Sequence, residues 1–495
     1  MVHRLPLRPF LALACAALVP SISACSDGES GPVAVSVIGD GSDLANPLAA
    51  LPRPGAKLML ETTAQGLVAF DAAGDILPAL AQRWIVEDDG RSYIFRLRRA
   101  FWPDGRRVTA TDVARLLKSR IAMLQRLDPH GPLDAVQSIV PMTGEVIELR
   151  LGAPRPLILQ MLAQPQMGIL SRAGGTGPYR ATRRADALAL EPTEPPPGFD
   201  DDEGAPAIPA DQIRLLRAES AALAVIRFRE GKSALVLGGR FSDLPLLIPA
   251  GIDKDMVRID PVQGLFGLAF TGRNRLVDSD AVREAIAMSI DRDQIAATLP
   301  LGRWQTTDRL VPVQLDLPEP PLAPRWAGLP LLERQALGRS AVSTWRSENG
   351  DPPALRIALP AGPGSRLLFA HVARDLAAIG LAARQVAPGE RAELSLIDEV
   401  AAYDSALWYM GRIGCARKIH CSAQADAQLK SMRYARTVAE VSAIMREALA
   451  LMQAHNGYIP LGQPLRWSLA APRLNGFAPS PRARHPLNHL FRSTN

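Results

Sequence analysis

Short segments with strand periodicity alternate with helical segments along nearly the whole chain, and this alternation most restricts the possible folds. Tyr93–Leu97 places apolar side chains at every second position, which is typical of a half-buried strand. Apolar stripes of helical spacing predict helices over about Asp280–Leu299 and Ser365–Ile379. Thr437 and Glu440 form a capping box that predicts the start of another helix. Mixed strands and helices over this length indicate an α/β protein.

The N-terminus has the pattern of an export signal. Basic residues precede the apolar segment Phe10–Val19, which is shorter than the roughly 20 residues that a membrane span needs. Ser23 and Ala24 then precede Cys25, which resembles the lipobox of bacterial lipoproteins. We therefore expect a signal peptide over residues 1–24, lipid on Cys25 and a polar tether over 25–32. The alternative is an ordinary signal peptide with a chance cysteine.

Composition bounds the remaining chain. A length of 495 residues supports two or three domains, and 47% hydrophobic residues allow a large core. The net charge of +6 is modest, and the basic residues are spread along the chain, so no nucleic-acid surface is predicted. After the signal, no stretch is long and apolar enough to cross a bilayer.

The four cysteines have different expected fates. Cys15 leaves with the signal and Cys25 carries lipid, which leaves Cys415 and Cys421 as an isolated pair. In an oxidising compartment this pair is expected to form a disulfide. Two alternatives remain open: free thiols, or a metal site with His420 as third ligand. The spacing fits no common zinc pattern, so no metal site is predicted.

A series of motifs in the first third of the chain carries a family resemblance. Asp-Gly turns, a helix cap and packing residues follow one another in a fixed order. The motifs are Gly66–Asp71, Ile76–Ala81, Trp84, Phe101–Gly105 and Val108–Val113. Further matching segments are Gly175–Tyr179, Leu268–Phe270, Asp280–Ile286, Ser289–Arg292 and Tyr458–Leu461. The series resembles the family 5 extracellular solute-binding proteins of ABC importers, which include oligopeptide-, dipeptide- and nickel-binding proteins.

The resemblance implies a two-lobed periplasmic-binding-protein fold with an extra small domain. Two α/β lobes would be joined by two crossing strands that act as a hinge. The expected parts are lobe I at 33–60, 166–255 and 465–495, the extra domain at 61–165, lobe II at 256–464, and hinges near Val257–Pro261 and Gln463–Trp467.

The resemblance also implies a function without catalysis or cofactor. A monomeric, lipid-anchored periplasmic protein would capture a small ligand, by default a peptide or amino-acid-like compound, and deliver it to ABC permease subunits. The hydrolase motifs Gly-x-Ser-x-Gly and His-Glu-x-x-His are not found, so an enzyme is not expected. Alternatives are a ligand sensor or chaperone of the same fold, or import of a metal chelate, haem or another metabolite.

The expected ligand residues lie where the chain departs from the family. In peptide-binding members a region with Trp and Asp-Pro supplies a carboxylate for the ligand's ammonium group; the matching Tyr403–Arg412 has no Asp-Pro pair. Trp408 and Tyr409 offer stacking surface, and Arg412 could clamp an acidic group. Thr271 stands where the family has an asparagine. The alternative is that Trp408 belongs to the core and Arg412 is an exposed arginine.

Overall fold

The strands form three main sheets in the computed structural model, which describes residues 31–45, 53–71, 73–127, 131–193, 208–299, 304–313, 315, 319–432 and 437–492. The predicted signal peptide and Cys25 lie outside the described residues, as does most of the tether 25–32. Within the described part of the chain, none of the helices combines the length and apolarity that crossing a membrane requires.

The strands are numbered in chain order. They are β1 Val33–Ile38, β2 Val68–Phe70, β3 Ile76–Pro78, β4 Ala81–Glu87, β5 Ser92–Leu97, β6 Val136–Pro141, β7 Val146–Leu151, β8 Leu170–Ser171, β9 Gly174–Gly175, β10 Tyr179–Arg184, β11 Ala187–Pro192, β12 Arg214–Glu219, β13 Leu235–Arg240, β14 Val257–Ile259, β15 Gly264–Phe270, β16 Leu355–Ala358, β17 Ala383–Val386, β18 Leu394–Val400, β19 Tyr458–Gly462, β20 Arg466–Ala470, β21 Leu474–Asn475 and β22 Phe491–Arg492.

The α-helices are numbered in the same way. They are α1 Gly41–Ala45, α2 Pro54–Thr63, α3 Ala110–Leu127, α4 Ile158–Leu162, α5 Ala221–Arg229, α6 Arg275–Asp278, α7 Asp280–Ser289, α8 Arg292–Ala297, α9 Leu331–Asn349, α10 Pro363–Ala378, α11 Ala406–Arg412, α12 Ala423–Ser431 and α13 Val438–His455.

Lobe I is built on a seven-stranded sheet of order β10-β11-β12-β1-β13-β20-β14. Its centre is parallel, because β1 pairs with β12 on one side and β13 on the other. The remaining pairs are antiparallel. The extra domain is a four-stranded antiparallel sheet of order β4-β5-β7-β6 whose apolar face packs with residues of α3.

Lobe II is built on a five-stranded sheet of order β17-β16-β18-β15-β19. Every residue of the inner strand β15 is buried, as expected for a strand covered on both faces. Alternate residues of β15 enter two different apolar clusters: Phe266 and Leu268 join one, and Leu265 and Ala269 the other. The two faces of lobe II therefore have separate cores.

The chain crosses between the lobes at residues 260–263 and returns at 463–465. The first crossing lies later than the boundary at 256 expected from the sequence. Val257–Ile259 pair with β20 in the seven-stranded sheet, so β14 belongs to lobe I. Asp260 then holds the C-terminal segment, since its carboxylate accepts hydrogen bonds from Ser480 N at 2.8 Å and His485 Nε2 at 3.1 Å.

The predicted continuous helix over Asp280–Leu299 is wrong. The chain forms α7 and α8, with extended backbone at Ile290 between them. The Asp291 side chain caps α8 by accepting from Gln294 N, and Asp291 N donates to the buried Asp375 at 2.9 Å. These polar contacts outweigh the apolar periodicity. The capping box of Thr437 and Glu440 is present at the start of α13.

Cys415 and Cys421 form a disulfide after α11, with Cα atoms 5.1 Å apart. His420 fixes the loop to lobe II, because its backbone N–H donates to Phe270 O at 2.7 Å and its Nε2 lies 2.7 Å from Gly272 O. Its other ring nitrogen contacts Arg273 at 3.1 Å, so both nitrogens have protein partners. Among the described residues no cluster of three or more His, Cys, Asp or Glu could hold a metal.

We expect the Cys415→Ser/Cys421→Ser double variant to be less stable than the oxidised protein. Closing a loop this short contributes about 2 kcal/mol to the free energy of unfolding through the unfolded state. Equilibrium urea unfolding, monitored by tryptophan fluorescence, measures the difference. Dithiothreitol should destabilise the wild type and leave the double variant unchanged; equal stability of both proteins without reductant would contradict the bond.

Candidate functional site

Charged residues of lobe I and lobe II meet beside the two crossings and line what we call the recess, defined by Lys57, Glu61, Arg240, Asp398 and Arg466. The Lys57 side chain is exposed to solvent. Burial by the surrounding protein nevertheless lowers the pKa of Lys57 to about 8, assisted by the charge of Arg484. The lowered pKa means that the surrounding protein disfavours the charged form of Lys57, although its side chain is exposed.

One ion pair joins the two lobes across the recess. Arg466, at the start of β20, donates from Nη1 to Asp398 Oδ1 at 2.7 Å and from Nη2 to Asp398 O at 3.1 Å. Asp398 belongs to β18 of lobe II, and both side chains are largely buried. A buried, charge-assisted contact of this kind fixes the position of both groups.

A second ion pair closes one wall of the recess. Glu61 lies one turn after Lys57 on α2, and its carboxylate is 3.4 Å from Arg484 Nε. Burial lowers the pKa of Arg484 to about 10 and raises the pKa of Glu61, although the nearby cations oppose the second shift. Arg484 also donates to Ala163 O at 3.1 Å, which links α2 to the extra domain.

Two recess cations form no direct ion pair or hydrogen bond with a described residue. Arg240 lies opposite Arg466 in the β13–β20 ladder, and no described residue forms an ion pair or hydrogen bond with its side chain. The same holds for the Lys57 ammonium within the described ranges. Burial, with the charge of Arg466, keeps the pKa of Arg240 below its ordinary value. The nearby Asp243 carboxylate accepts from Ser242 Oγ at 3.0 Å.

The lobes also touch on the far side of the recess, at what we call the rim contact, made by Gln160, Gln164, Arg482 and the loop 401–404. Gln164 Nε2 donates to Ala402 O at 2.5 Å, and Asp404 N donates to Gln160 Oε1 at 3.4 Å. Arg482 donates to Ala401 O at 3.1 Å and to Asp404 at 2.5 Å. The structure therefore has the lobes closed over the recess.

Trp408 and Tyr409, expected to face the ligand, lie in the core of lobe II. Trp408 is 3% exposed and Tyr409 1%, and their rings meet edge to face at 4.9 Å. Burial, with the charge of Asp404, raises the pKa of Tyr409. The Trp408 Nε1 and Tyr409 hydroxyl are buried without a hydrogen-bond partner among the described residues. In this closed structure neither ring presents surface to the recess.

Arg412 and Thr271 have partners within lobe II. The Arg412 guanidinium lies over the Trp408 ring at 5.5 Å and 3.5 Å from Glu399, while Thr271 Oγ1 is 2.8 Å from Ser395 Oγ. Residues 395 and 399 share one face of β18, and Asp398 faces the other way. The predicted ligand residues and the recess cations are therefore on opposite faces of this strand.

A separate cavity of about 760 Å³ lies between lobe I and the extra domain. Its walls come from the end of α2, the β2–β3 hairpin, Thr176–Tyr179 and the C-terminal segment after Arg484. Glu61 and Arg484 belong both to this cavity and to the wall of the recess. Among the described residues, none from lobe II lines it, so it does not sit between the closing lobes.

Sequence reasoning missed Lys57 and Arg240. They come from α2 and the end of β13, which are about 180 residues apart in the chain, and no motif surrounds either residue. Only the register of β13 with β20 brings Arg240 beside Arg466. Lys57 could have been noticed as a cation four residues before Glu61 on one helix face, but that spacing usually marks a solvated surface pair.

Solved structures with the same fold cover nearly the whole chain. Haemophilus influenzae OppA in complex with RPPGFSPFR has a TM-score of 0.75 at 15% identity, covering 93% of this chain and 99% of that one. The Escherichia coli murein tripeptide binding protein MppA has 0.77 at 16%, covering 94% and 99%. Brucella suis NikA with Fe(III)-EDTA has 0.70 at 17%, covering 93% and 100%. These likenesses establish the two-lobed fold.

Sequence comparison gives one short match and one long one. The short match is 47% identity over 49 residues with the probable deoxycholate-binding periplasmic protein YgiS of Escherichia coli K12, which is 10% of this chain and 9% of that protein. The long match is the family model for bacterial extracellular solute-binding proteins, family 5 Middle, over residues 75–387. The chain therefore belongs to family 5 of the bacterial extracellular solute-binding proteins, which are binding proteins of transport and not enzymes.

Proposed function

We propose that this protein is a lipid-anchored periplasmic binding protein that captures a small solute in the recess and delivers it to the permease subunits of an ABC importer. The observation that carries the proposal is a charged recess between two lobes that two crossings join in the described part of the chain and that close at a polar rim. Binding in such a gap would couple ligand capture to rotation of the lobes.

The contacts beside the crossings suit a hinge. Phe241 of lobe I packs against Phe266 of lobe II with ring centroids 4.8 Å apart, and Gly364 N donates to Ser242 O at 2.8 Å. A Cβ at Gly364 would lie 2.1 Å from Phe241 O, so α10 can approach this closely only through glycine. This contact lies next to the crossings, where a rotation displaces atoms least.

The rim contact suits reversible closure. Its hydrogen bonds from Gln164, Asp404 and Arg482 can be exchanged for bonds to water. Each contributes about 0.5–1.5 kcal/mol net between neutral groups and about 1.5–3 kcal/mol where Arg482 donates. Its apolar part consists of Leu157 and Met161, which are half-buried against the core of lobe II. A rim of this kind favours opening and closing over permanent association.

The cargo is proposed from resemblance. A peptide or amino-acid-like solute is the first candidate, because OppA is solved with the peptide RPPGFSPFR. A metal chelate is a second candidate, given Fe(III)-EDTA in NikA, and a bile acid is a third, given the printed name of the Escherichia coli relative. A sensor or chaperone of the same fold is the alternative to transport, and a neighbouring permease gene would favour transport.

The ligand residues expected from the sequence stay proposals. Trp408, Tyr409 and Arg412 would contact solute if the loop after Ala402 moves when the lobes open, which would expose the Trp408 Nε1 and the Tyr409 hydroxyl. Thr271, which directly follows β15, would contact the solute as well. The domain bounds given above, with the first crossing placed at 260–263, are retained as part of the proposal.

We expect Cys25→Ser to release the protein from membranes without unfolding it. The reason is that the thioether to lipid would hold the protein at the membrane, and no described helix could span one. Fractionation by ultracentrifugation, followed by thermal unfolding of the supernatant protein, checks both parts. A Cys25→Ser protein that stays in the membrane pellet would refute the lipobox.

We expect solute to draw the two lobes together. In a Cys15→Ser/Cys25→Ser protein the remaining two cysteines are bonded to each other, so Met142→Cys in the extra domain and Ser347→Cys on α9 can be labelled selectively. Single-molecule energy transfer between the labels should show a shorter distance when peptide or metabolite pools bind.

Arg482→Met tests whether the rim contact stabilises the closed state. It removes the bonds to Ala401 O and Asp404, so it should raise the open fraction. Arg446→Met, which removes only an exposed pair with Glu319, is the matched control. Identical distances in all proteins, with and without solute, would contradict the hinge mechanism.

A further inference from the structure

The ladder between β13 and β20 sets two like charges side by side. Arg240 and Arg466 are directly opposed in an antiparallel pair, an arrangement that is destabilising unless countercharges are present. Asp398 supplies one countercharge, but it is engaged by Arg466 through both its carboxylate and its backbone carbonyl. The Arg240 guanidinium forms no ion pair or hydrogen bond with a described residue, and the charges of Asp398 and Asp243 act on it only through space.

On α2, a second cation of the recess also lacks a direct ion pair. Lys57 and Glu61 are four residues apart on α2 and share one helix face. Glu61 is the natural partner of Lys57, yet its carboxylate lies 3.4 Å from Arg484. In the described part of the chain the Lys57 ammonium has no protein partner.

The charges around the recess therefore do not balance. Four cations face three carboxylates: Lys57, Arg240, Arg466 and Arg484 against Glu61, Asp243 and Asp398. Burial is the main cause of the lowered pKa of Lys57, and the surplus of positive charge lowers it further. The three arginines disfavour another positive charge, and Glu61 alone favours it. An anion placed between Lys57 and Arg240 would relieve the repulsion and gain charge-assisted hydrogen bonds.

We infer that the recess takes an anionic solute, and that Lys57 and Arg240 are the residues that determine this specificity by binding its carboxylate or phosphate group. The inference rests on the proposed function and narrows its cargo. It separates acidic peptides and organic acids from cationic or neutral solutes of the same size. The alternative that the test can reveal is that water alone hydrates both cations and no anion binds there.

The first experiment compares matched probes that differ only in charge. N-acetyl-trialanine, its C-terminal amide and trialanine amide carry one negative charge, none and one positive charge, and deoxycholate is paired with its uncharged methyl ester. Isothermal calorimetry on the Cys25→Ser protein should show binding of at least one anion that exceeds its neutral counterpart by about tenfold or more.

Variants then test the two named residues. Lys57→Met and Arg240→Met should each weaken the bound anion by about tenfold to hundredfold and leave its neutral counterpart unchanged. Lys430→Met, at an exposed position on α12, is the control for loss of one lysine charge. Circular dichroism and the melting temperature confirm that each variant is folded, so a loss of binding is not a loss of structure.

The dependence of anion affinity on pH is a further test, because a purely structural role of Lys57 would not produce it. Because the pKa of Lys57 is about 8, the wild type should lose anion affinity as pH rises above 8, by up to about tenfold per pH unit. Lys57→Arg keeps its charge there and should show a flat profile up to about pH 9. The other groups facing Lys57 are Glu61, Arg240, Arg466 and Arg484, and the pKa of Arg484, lowered by burial to about 10, lies above this range.

The outcomes separate the inference from the proposed function. Binding and lobe closure with neutral or cationic probes only, or anion binding that Lys57→Met and Arg240→Met do not weaken, overturns the anionic specificity and leaves the function standing. Failure of every anionic probe to bind overturns the inference as well. Failure of probes of every charge to close the lobes also counts against the proposed function.

Discussion

The base of the recess depends on the contact between Trp467 and Gly239. The indole of Trp467 is 1% exposed and lies so close to β13 that a Cβ on residue 239 would be 2.1 Å from its ring. Its Nε1 donates to Arg240 O at 2.9 Å, which fixes the backbone of the last residue of β13. A register shift between Val236 and Gly239 accommodates the ring. This single packing arrangement determines where the Arg240 and Arg466 side chains emerge.

The contacts between the lobes are apolar beside the crossings and mainly polar at the rim, and this division permits the lobes to rotate. Beside the crossings, Phe241 and Phe266 belong to one continuous apolar cluster that extends from lobe I into lobe II. At the rim, the contacts of Gln164 and Arg482 are mainly polar. Apolar burial is lost steeply as surfaces separate, whereas hydrogen bonds can pass to water. The lobes are therefore held firmly at one side and loosely at the other.

The sequence predicted what is local and missed what the tertiary structure assembles. The box of Thr437 and Glu440 lies within four residues and needs no other part of the chain, so it starts α13 as expected. The interruption at Asp291 depends on Asp375, which is 84 residues away, and periodicity alone could not reveal it. Family motifs gave the two-lobed fold, because they lie where local turns and packing repeat in all members. The expected boundary of lobe II at 256 lies before β14, because the pairing of β14 with β20 joins segments about 200 residues apart.

The sequence also revealed only part of the candidate site, and the carboxylates near it show why. The sequence drew attention to Tyr403–Arg412 because the carboxylate expected for an ammonium group was missing there. The structure shows three acids already engaged by arginines: Asp404 of the rim contact by Arg482, and Asp398 and Glu61 of the recess by Arg466 and Arg484. None of these three carboxylates is left to receive a cationic solute, and Asp243 accepts a hydrogen bond from Ser242. Lys57 and Arg240 form no direct ion pair with a described residue. The missing carboxylate in lobe II and the surplus of positive charge in lobe I both disfavour a cationic solute. Only the missing carboxylate can be recognised from the sequence.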